Sequence, residues 1–188
     1  MGCDPAEQGY DRTCIVMRRG RVVLRVEYED ESTTMGVAGK LAEIWRDKRP
    51  DAIFLDKIGI GAGIHDRLLE LNIPVIGVNS ASRARDHELF ENRRAEMWWS
   101  MLDWFEDEPC RIPRSAQALA SDLSAPEPRL HSSGRRLLEK KADMKKRGMR
   151  SPDGGDALAL TFYEPVARRE LTLGSTQSSG APASRAGY

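Results

Sequence analysis

The sequence predicts an α/β fold in which helices flank a central mixed sheet of about five or more strands. Residues 13–17 and 22–28 are rich in apolar and β-branched residues, and the second run alternates polar with apolar side chains, which is typical of an antiparallel hairpin. Residues 52–55 and 74–78 are short apolar runs on either side of a helical segment, and this order makes the two strands parallel. We therefore expect an antiparallel meander followed by parallel strands.

The other elements follow from local patterns along the chain. A first short strand of the meander ends at Asp4, and a loop containing proline and glycine leads from it to the hairpin. Residues 34–49 carry apolar side chains at helical spacing, and Pro50 ends this amphipathic helix. The remaining elements are expected to be helices at residues 64–71, 93–105 and 113–120, a short strand at residues 110–112 and a turn at residues 131–134.

The segment SPDGGDALALTF, residues 151–162, has the features of a buried helix that begins with acidic residues. Ser151 is suited to the N-cap and Pro152 to the first helical position. Asp153 and Asp156 are spaced to share one face, where their charges repel each other. The helix dipole offsets part of this repulsion, and a bound cation would offset more. The alternative is that both are ordinary acids of a first helical turn.

Two further acids are expected near this helix. Asp4 and Asp56 both stand where a strand gives way to a loop, and parallel strands end at the same edge of a sheet. The last helix would bring Asp153 and Asp156 over that edge. Converging carboxylates suit a pair of metal ions, which need hard oxygen ligands and open positions for water and phosphate. Taken singly, each acid is also compatible with a solvated loop.

Composition excludes several classes of protein. The formal net charge is +0, so any binding to nucleic acid must come from local patches. The cysteines Cys3, Cys14 and Cys110 are odd in number and have no close pair, which argues against a disulfide framework and a zinc knuckle. The sequence shows no membrane-spanning run and no signal peptide. It also has no phosphate-binding loop of the ATPase type, so ATP hydrolysis is not expected.

Two segments supply local positive charge. Residues 135–150 are rich in lysine and arginine and directly precede the acidic helix, an arrangement that suits a track for a phosphate backbone. The alternative is a solvated helix face. The polar loop over residues 79–92 is also basic. The residues expected to contact DNA are Lys140, Lys141, Lys145, Lys146, Arg147, Arg83 and Arg85.

Two other stretches, a glycine-rich turn and the C-terminal segment, bear on how the domain is organised. The glycine-rich turn GIGAG, residues 59–63, is compatible with a phosphate cradle formed by backbone amides or with a simple flexible turn. Residues 166–188 are rich in serine, glycine and alanine, and we interpret them as a flexible tail behind a single domain of residues 1–165.

Four stretches of the chain resemble a known family. GCDPAEQGYDRT, FLDKIGIGAG, NRRAEMWW and KADMKKRGMRSPDGGDALALTF are similar to segments of the C-terminal nuclease domain of the large terminase subunit of tailed bacteriophages. The resemblance implies a ribonuclease H-like fold, which junction resolvases and retroviral integrases share. It also implies that Asp4, Asp56 and Asp153 are the catalytic acids that hold the metal ions. Asp156 is implied as a fourth ligand or as a group that supports the ligands.

The resemblance implies an endonuclease that cuts concatemeric viral double-stranded DNA during genome packaging, with two Mg²⁺ or Mn²⁺ ions and little sequence preference. Its implied partners are DNA, the terminase ATPase domain, the small terminase subunit and the portal protein, in the cytoplasm of the infected bacterium and away from membranes. Because no ATPase domain precedes the nuclease in this chain, we interpret it as a domain or fragment. The alternatives are a junction resolvase and a non-catalytic module that binds DNA or docks the motor.

Overall fold

The computed structural model describes residues 1–6, 11–30 and 32–167 of the chain. Their central feature is a five-stranded mixed sheet with the strand order β3-β2-β1-β4-β5. The first three strands pair antiparallel, and β1–β4 and β4–β5 pair parallel, which confirms the predicted meander followed by parallel strands. The strands are β1 (Gly2–Asp4), β2 (Thr13–Arg19), β3 (Val22–Glu29), β4 (Phe54–Asp56) and β5 (Ile76–Val78).

Six helices and a small hairpin accompany this sheet in the described part of the chain. The hairpin consists of β6 (Pro128–Leu130) and β7 (Arg136–Leu138), which pair antiparallel. The helices are α1 (Thr34–Lys48), α2 (Gly61–Glu70), α3 (Arg93–Asp107), α4 (Gln117–Ser124), α5 (Lys141–Lys146) and α6 (Asp153–Leu160).

Apolar side chains form one buried cluster on each face of the sheet. Alternation along β2 divides its residues between them, with Val16 in one cluster and Ile15 in the other. The Val16 cluster includes buried residues of α3, α4 and α6, and the Ile15 cluster includes buried residues of α1 and α2. The sheet therefore lies between two helical layers, with α6 in the layer that also contains α3 and α4.

Several predicted boundaries are wrong. Helix α2 begins at Gly61 rather than residue 64, and α4 begins at Gln117, because the segment after Pro113 first closes a turn through the Ala116 amide. Residues 110–112 form only an isolated bridge to Val22 instead of a strand. The hairpin was not predicted, although the turn at residues 131–134 lies at its tip.

The predicted start of the last helix is also wrong. Helix α6 begins at Asp153. Its N-cap residue is Pro152, whose side chain makes no capping hydrogen bond. The Ser151 hydroxyl, expected to cap this helix, is buried and does not cap it. The Gly154 amide instead donates to the Asp122 carboxylate of α4 at 2.8 Å. A side chain distant in sequence has replaced the local cap.

The described residues bear on two expectations from the sequence, which concern membrane-spanning segments and disulfide bonds. None of the described helices combines the length and the hydrophobicity that a membrane-spanning helix requires. Cys3, Cys14 and Cys110 are free thiols. The predicted tail lies outside the described residues from residue 168 onward.

Helix α6 packs directly on β1 because Gly2 has no side chain. A β-carbon at Gly2 would lie 2.0 Å from the carbonyl oxygen of Ala157. Real side chains do not approach a backbone oxygen this closely, so a larger residue here would push α6 away from the sheet. This contact positions the start of α6 next to the end of β1, where Asp4 stands.

We predict that Gly2→Ala lowers the free energy of unfolding by about 3 kcal/mol, since the added methyl group must displace the backbone of α6. The measurement is urea unfolding monitored by circular dichroism. Gly39→Ala is the matched control: this glycine lies within α1 with nothing within 4 Å of the added carbon, and alanine there should stabilise the helix by about 0.5 to 1 kcal/mol. Equal stability of the Gly2→Ala variant and the wild type would contradict this account of the β1–α6 contact.

Candidate metal centre

Asp4 and Asp56 end adjacent parallel strands. The register of β1 and β4 pairs Cys3 with Leu55, so the next residue of each strand carries an acid at the same edge of the sheet. Asp4 is buried, with 6% of its surface exposed. Asp56 is held by two hydrogen bonds, one from the Ser80 hydroxyl at 2.8 Å and one from the Ile58 amide at 3.1 Å. The strand-end prediction for these two acids therefore agrees with their placement.

The glycine-rich turn supports Asp56 through its backbone. A β-carbon at Gly61 would lie 1.9 Å from the carbonyl oxygen of Asp56, so only glycine allows α2 to start this close to β4. Gly59 has a φ of 61°, in the left-handed region that glycine adopts without strain. The amides of Gly61 and Ala62 donate to the carbonyl groups of Ile58 and Gly59. Of the two predicted roles, these contacts support a structural turn more than a phosphate cradle.

Lys141 places its ammonium group among three carboxylates. The Lys141 Nζ atom lies 3.0 Å from Asp4 Oδ2, 3.2 Å from Asp156 Oδ2 and 3.8 Å from Asp153 Oδ1. The structure thus brings the acids of β1 and α6 together around one positive charge. Sequence analysis predicted this convergence of acids but assigned Lys141 to DNA contact.

Asp156 has further cationic and polar partners of its own. Arg94 Nε donates to Asp156 Oδ1 at 2.8 Å and Arg94 Nη2 to Oδ2 at 3.2 Å, while Trp98 Nε1 donates to Oδ1 at 2.8 Å. Burial opposes ionisation of Asp156, but Arg94 and Lys141 outweigh it and lower the pKa to about 2. The Asp156 charge is therefore compensated within the protein.

The other acids have less compensation. Burial raises the pKa of Asp4 to about 7, with Lys141 only partly opposing the rise and the neighbouring carboxylates adding to it. Burial likewise raises the pKa of Asp153 to about 6 although the Arg12 amide donates to Asp153 Oδ2 at 2.9 Å. The pKa of Asp56 is raised for the same reason. Negative charge at this edge thus exceeds the positive charge that the surrounding residues provide.

The donor set at this edge fits a hard divalent cation. Carboxylate oxygens are the ligands that Mg²⁺ and Mn²⁺ prefer, and the Lys141 ammonium already stands in as a cation between them. Among the described residues, no three acidic, cysteine or histidine side chains are arranged to hold a metal ion. The candidate ligands are Asp4, Asp56 and Asp153, and Lys141 lies close enough to Asp4 and Asp153 to compete with an ion for their oxygens.

The predicted DNA-contacting residues fall into different environments. Lys140 is exposed. Lys146, with 77% of its side chain exposed, pairs with Asp143 at 2.9 Å. Lys145 pairs with Asp11 at 2.9 Å. All of these lie at or next to α5, the helix that also carries Lys141, and so they flank the acidic edge.

The arginines differ more widely. Arg147 pairs with fully buried Glu139, as does Arg129, so Arg147 holds the hairpin against α5. Arg83 is exposed in the loop that follows Ser80. Arg85 pairs with Glu164 and lines a cleft of about 1180 Å³ that includes Met1, at the opposite end of β1 from Asp4. Arg85 is therefore not brought to the acidic edge.

Sequence analysis missed three residues that organise the site, namely Arg94, Trp98 and Asp122. Arg94 and Trp98 are four residues apart on α3 and share the face toward Asp156, a spacing that could have identified them as a pair. Asp122 gave no local signal, because its partners lie on β3 and α6.

Comparison with known proteins identifies the fold. No protein-family model and no curated protein sequence matches the chain. The nuclease domain of the large terminase subunit gp2 of bacterial virus Sf6, solved as a point mutant with manganese and β-thujaplicinol, is similar with a TM-score of 0.75 and 20% sequence identity over 88% of this chain and 87% of that one.

Two structures of a second terminase nuclease are also similar. The large terminase nuclease from thermophilic phage G20c with bound magnesium has a TM-score of 0.67 and 14% identity over 87% of this chain and 79% of that one. The same nuclease with bound cobalt has a TM-score of 0.65 and 15% identity over the same shares of the two chains. The chain therefore shares the fold of the nuclease domains of phage large terminase subunits, as the sequence resemblance implied.

Proposed function

We propose that this protein is a metal-dependent DNA endonuclease, the nuclease domain of a phage large terminase, which cuts concatemeric viral double-stranded DNA during genome packaging. The observation that carries the proposal is the excess of buried carboxylate at one sheet edge, where Asp4 and Asp153 keep raised pKa values despite Lys141. Carboxylates whose pKa is shifted by burial and by neighbouring charges cluster at functional sites. The likeness of the fold to terminase nuclease domains supports the choice of DNA cleavage as the function of this edge.

Asp4, Asp56 and Asp153 are the proposed ligands of two Mg²⁺ or Mn²⁺ ions. Related nucleases were solved with manganese, magnesium and cobalt, which supports a divalent ion here. Such ions, when bound, lower the pKa of an attacking water and stabilise charge on the phosphoryl group during hydrolysis. Asp156 is proposed to support the ligands rather than to bind metal itself, since Arg94 and Trp98 already occupy its oxygens.

The remaining residues of the site orient the ligands. The Ser80 hydroxyl fixes one oxygen of Asp56, and the Arg12 amide fixes one oxygen of Asp153. Fixed carboxylates hold their geometry as charge changes at the site, which is the requirement for precise positioning of a reacting phosphate.

DNA would approach this edge across α5. Lys140 and Lys146 are exposed beside the acids, and Arg83 is exposed on the loop that follows Ser80, so we propose these three as phosphate contacts. Lys146, Lys145 and Arg147 would have to exchange their present carboxylate partners for phosphate. Phosphate contacts carry little sequence information, so cleavage should show weak sequence preference.

The wider assembly follows from the same proposal. As part of a terminase, the chain would act with an ATPase domain, a small terminase subunit and a portal protein in the cytoplasm of the infected bacterium. A junction resolvase would instead prefer branched DNA over linear duplex. A non-catalytic docking module would bind DNA with salt-dependent affinity and would not cut it.

We predict that the purified protein nicks and linearises supercoiled plasmid with Mg²⁺ or Mn²⁺ and is inactive in EDTA. Asp4→Asn, Asp56→Asn and Asp153→Ala should each lower the cleavage rate by at least about 100-fold, because each removes a ligand oxygen. Gel electrophoresis of time courses at matched metal concentration measures the rates.

Asp66→Asn is the control for this experiment, since its side chain is 77% exposed on α2 and lies outside the acidic edge. This variant should cut at the wild-type rate. A folded wild-type protein that fails to cut DNA with any divalent ion, or an Asp4→Asn variant that cuts at full rate, would contradict the assignment.

We also predict that Lys141→Met binds Mn²⁺ about tenfold more tightly than the wild type, equivalent to about 1.4 kcal/mol. The ammonium and the metal compete for the same oxygens, so removing the ammonium favours the metal. In EDTA the same variant should unfold more easily, because three carboxylates lose a shared cation. Electron paramagnetic resonance of free Mn²⁺ measures the affinity without DNA.

Lys146→Met is the matched control, because Lys146 lies on the same helix but pairs with Asp143 rather than with the acidic edge. Its Mn²⁺ affinity should equal that of the wild type. Unchanged or weaker Mn²⁺ binding by Lys141→Met would show that the ammonium does not compete with the metal.

A further inference from the structure

Helix α6 carries Asp153 in its first turn but has no capping side chain of its own. The N-cap residue is Pro152, and the first amides of a helix need acceptors from elsewhere. The Asp156 amide donates to the Pro152 carbonyl at 2.8 Å, while the Gly154 amide donates to Asp122 Oδ2, also at 2.8 Å. The amide that directly follows Asp153 is therefore bound by a carboxylate from α4.

Asp122 and Tyr28 also fix the place of this turn sterically. A β-carbon at Gly154 would lie 2.1 Å from the Tyr28 hydroxyl oxygen and 2.8 Å from Asp122 Oδ2. The Tyr28 hydroxyl donates to the same Oδ2 atom at 2.9 Å. One carboxylate oxygen thus binds both the start of α6 and a side chain of β3, and the backbone of Gly154 fits against the pair without space to shift.

A second route joins Asp122 to the carboxylate of Asp153. The Arg12 guanidinium lies over the Tyr28 ring, 4.2 Å from its centroid, and its Nη2 atom lies 4.0 Å from Asp122 Oδ1. The backbone amide of Arg12 donates to Asp153 Oδ2. Asp122 therefore acts on Asp153 from two sides, through the helix that carries it and through the residue that binds its oxygen.

We propose that Asp122 is a positioning residue that sets the direction of the Asp153 carboxylate at the metal centre. The proposal rests on the function proposed above and adds to it a residue that touches neither metal nor DNA. Asp122 is 7% exposed, and its hydrogen bonds to other side chains and amides, as far as the described residues show, all lead to β3 or α6 rather than to α4. Burying a carboxylate is costly, so this placement is better explained by its partners than by the needs of α4.

The test compares Asp122→Asn and Tyr28→Phe with the wild type. Asn keeps the shape and one oxygen but loses the charge, so the hydrogen bond from Gly154 weakens without an empty space in the core. We expect Asp122→Asn to weaken Mn²⁺ binding roughly tenfold to a hundredfold, as loss of a group that supports a metal ligand does. Tyr28→Phe, which leaves the Gly154 bond in place, should weaken it less.

Carbon and amide chemical shifts separate positioning from stability in the metal-free protein. Asp122→Asn should shift the Gly154 amide proton upfield and also change the ¹³Cγ resonance of Asp153. Leu68→Ala is the control: this fully buried residue belongs to the opposite helical layer, so its loss destabilises the fold without touching Asp122. It should leave the Asp153 resonance and the Mn²⁺ affinity unchanged at temperatures well below unfolding.

Two results would overturn the positioning role. One is an Asp153 resonance in Asp122→Asn identical to that of the wild type. The other is a loss of Mn²⁺ affinity in Leu68→Ala equal to that in Asp122→Asn. If the wild type binds no metal and cuts no DNA, the proposed nuclease function fails, but the Asp153 resonance still decides whether Asp122 positions this carboxylate.

Discussion

The structure depends on a surplus of negative charge buried at one edge of its sheet. Four acids from three elements meet there, and Arg94 is committed to Asp156 while Lys141 is shared among the acids that surround it. Burial of a carboxylate without a full counter-charge is costly, and the protein partly avoids the cost by raising the pKa of Asp4 and Asp153. A divalent cation would remove the cost more completely, and this is the physical basis of the metal centre proposed at this edge.

Close backbone contacts hold the acids in place. Glycine stands at three of them: Gly2 allows α6 to lie on β1, Gly61 allows α2 to start against Asp56, and Gly154 fits against Tyr28 and Asp122. Each contact excludes a side chain, so each fixes the distance between two elements that carry or support an acid. A site built on strands and on the start of a packed helix keeps its geometry better than one on loops.

The sequence was sufficient to predict an antiparallel meander followed by parallel strands, and to place acids at two strand ends and at the start of the last helix, because strand alternation, strand ends and helical spacing are local patterns. The partners of those acids could not be predicted, because they lie far away in the chain. Lys141 is 137 residues from Asp4, Arg94 is 62 residues from Asp156 and Asp122 is 32 residues from Gly154. The prediction that Ser151 caps α6 failed for the same reason, because the Gly154 amide donates to the distant Asp122 carboxylate instead.

The short hairpin shows a second limit of sequence analysis. Strands β6 and β7 have three residues each, too few for a periodic pattern to stand out from the basic composition of residues 135–150. Its anchor is buried Glu139, which binds Arg129 and Arg147. These ion pairs give part of the segment that was predicted to bind DNA a structural role instead. They also hold the chain that leads into α5, where Lys141 faces the acids.

The most direct measurement of the central claim is isothermal titration calorimetry with Mn²⁺ at pH 6 in two buffers of different protonation enthalpy. Metal ligands must be deprotonated, and Asp4 and Asp153 have pKa values raised to about 7 and 6, so binding should release between about one and two protons per protein at this pH and far fewer at pH 8.5. Saturable binding with this proton release would support a metal centre formed by under-compensated acids. Absence of binding, or binding without proton release at pH 6, would contradict it.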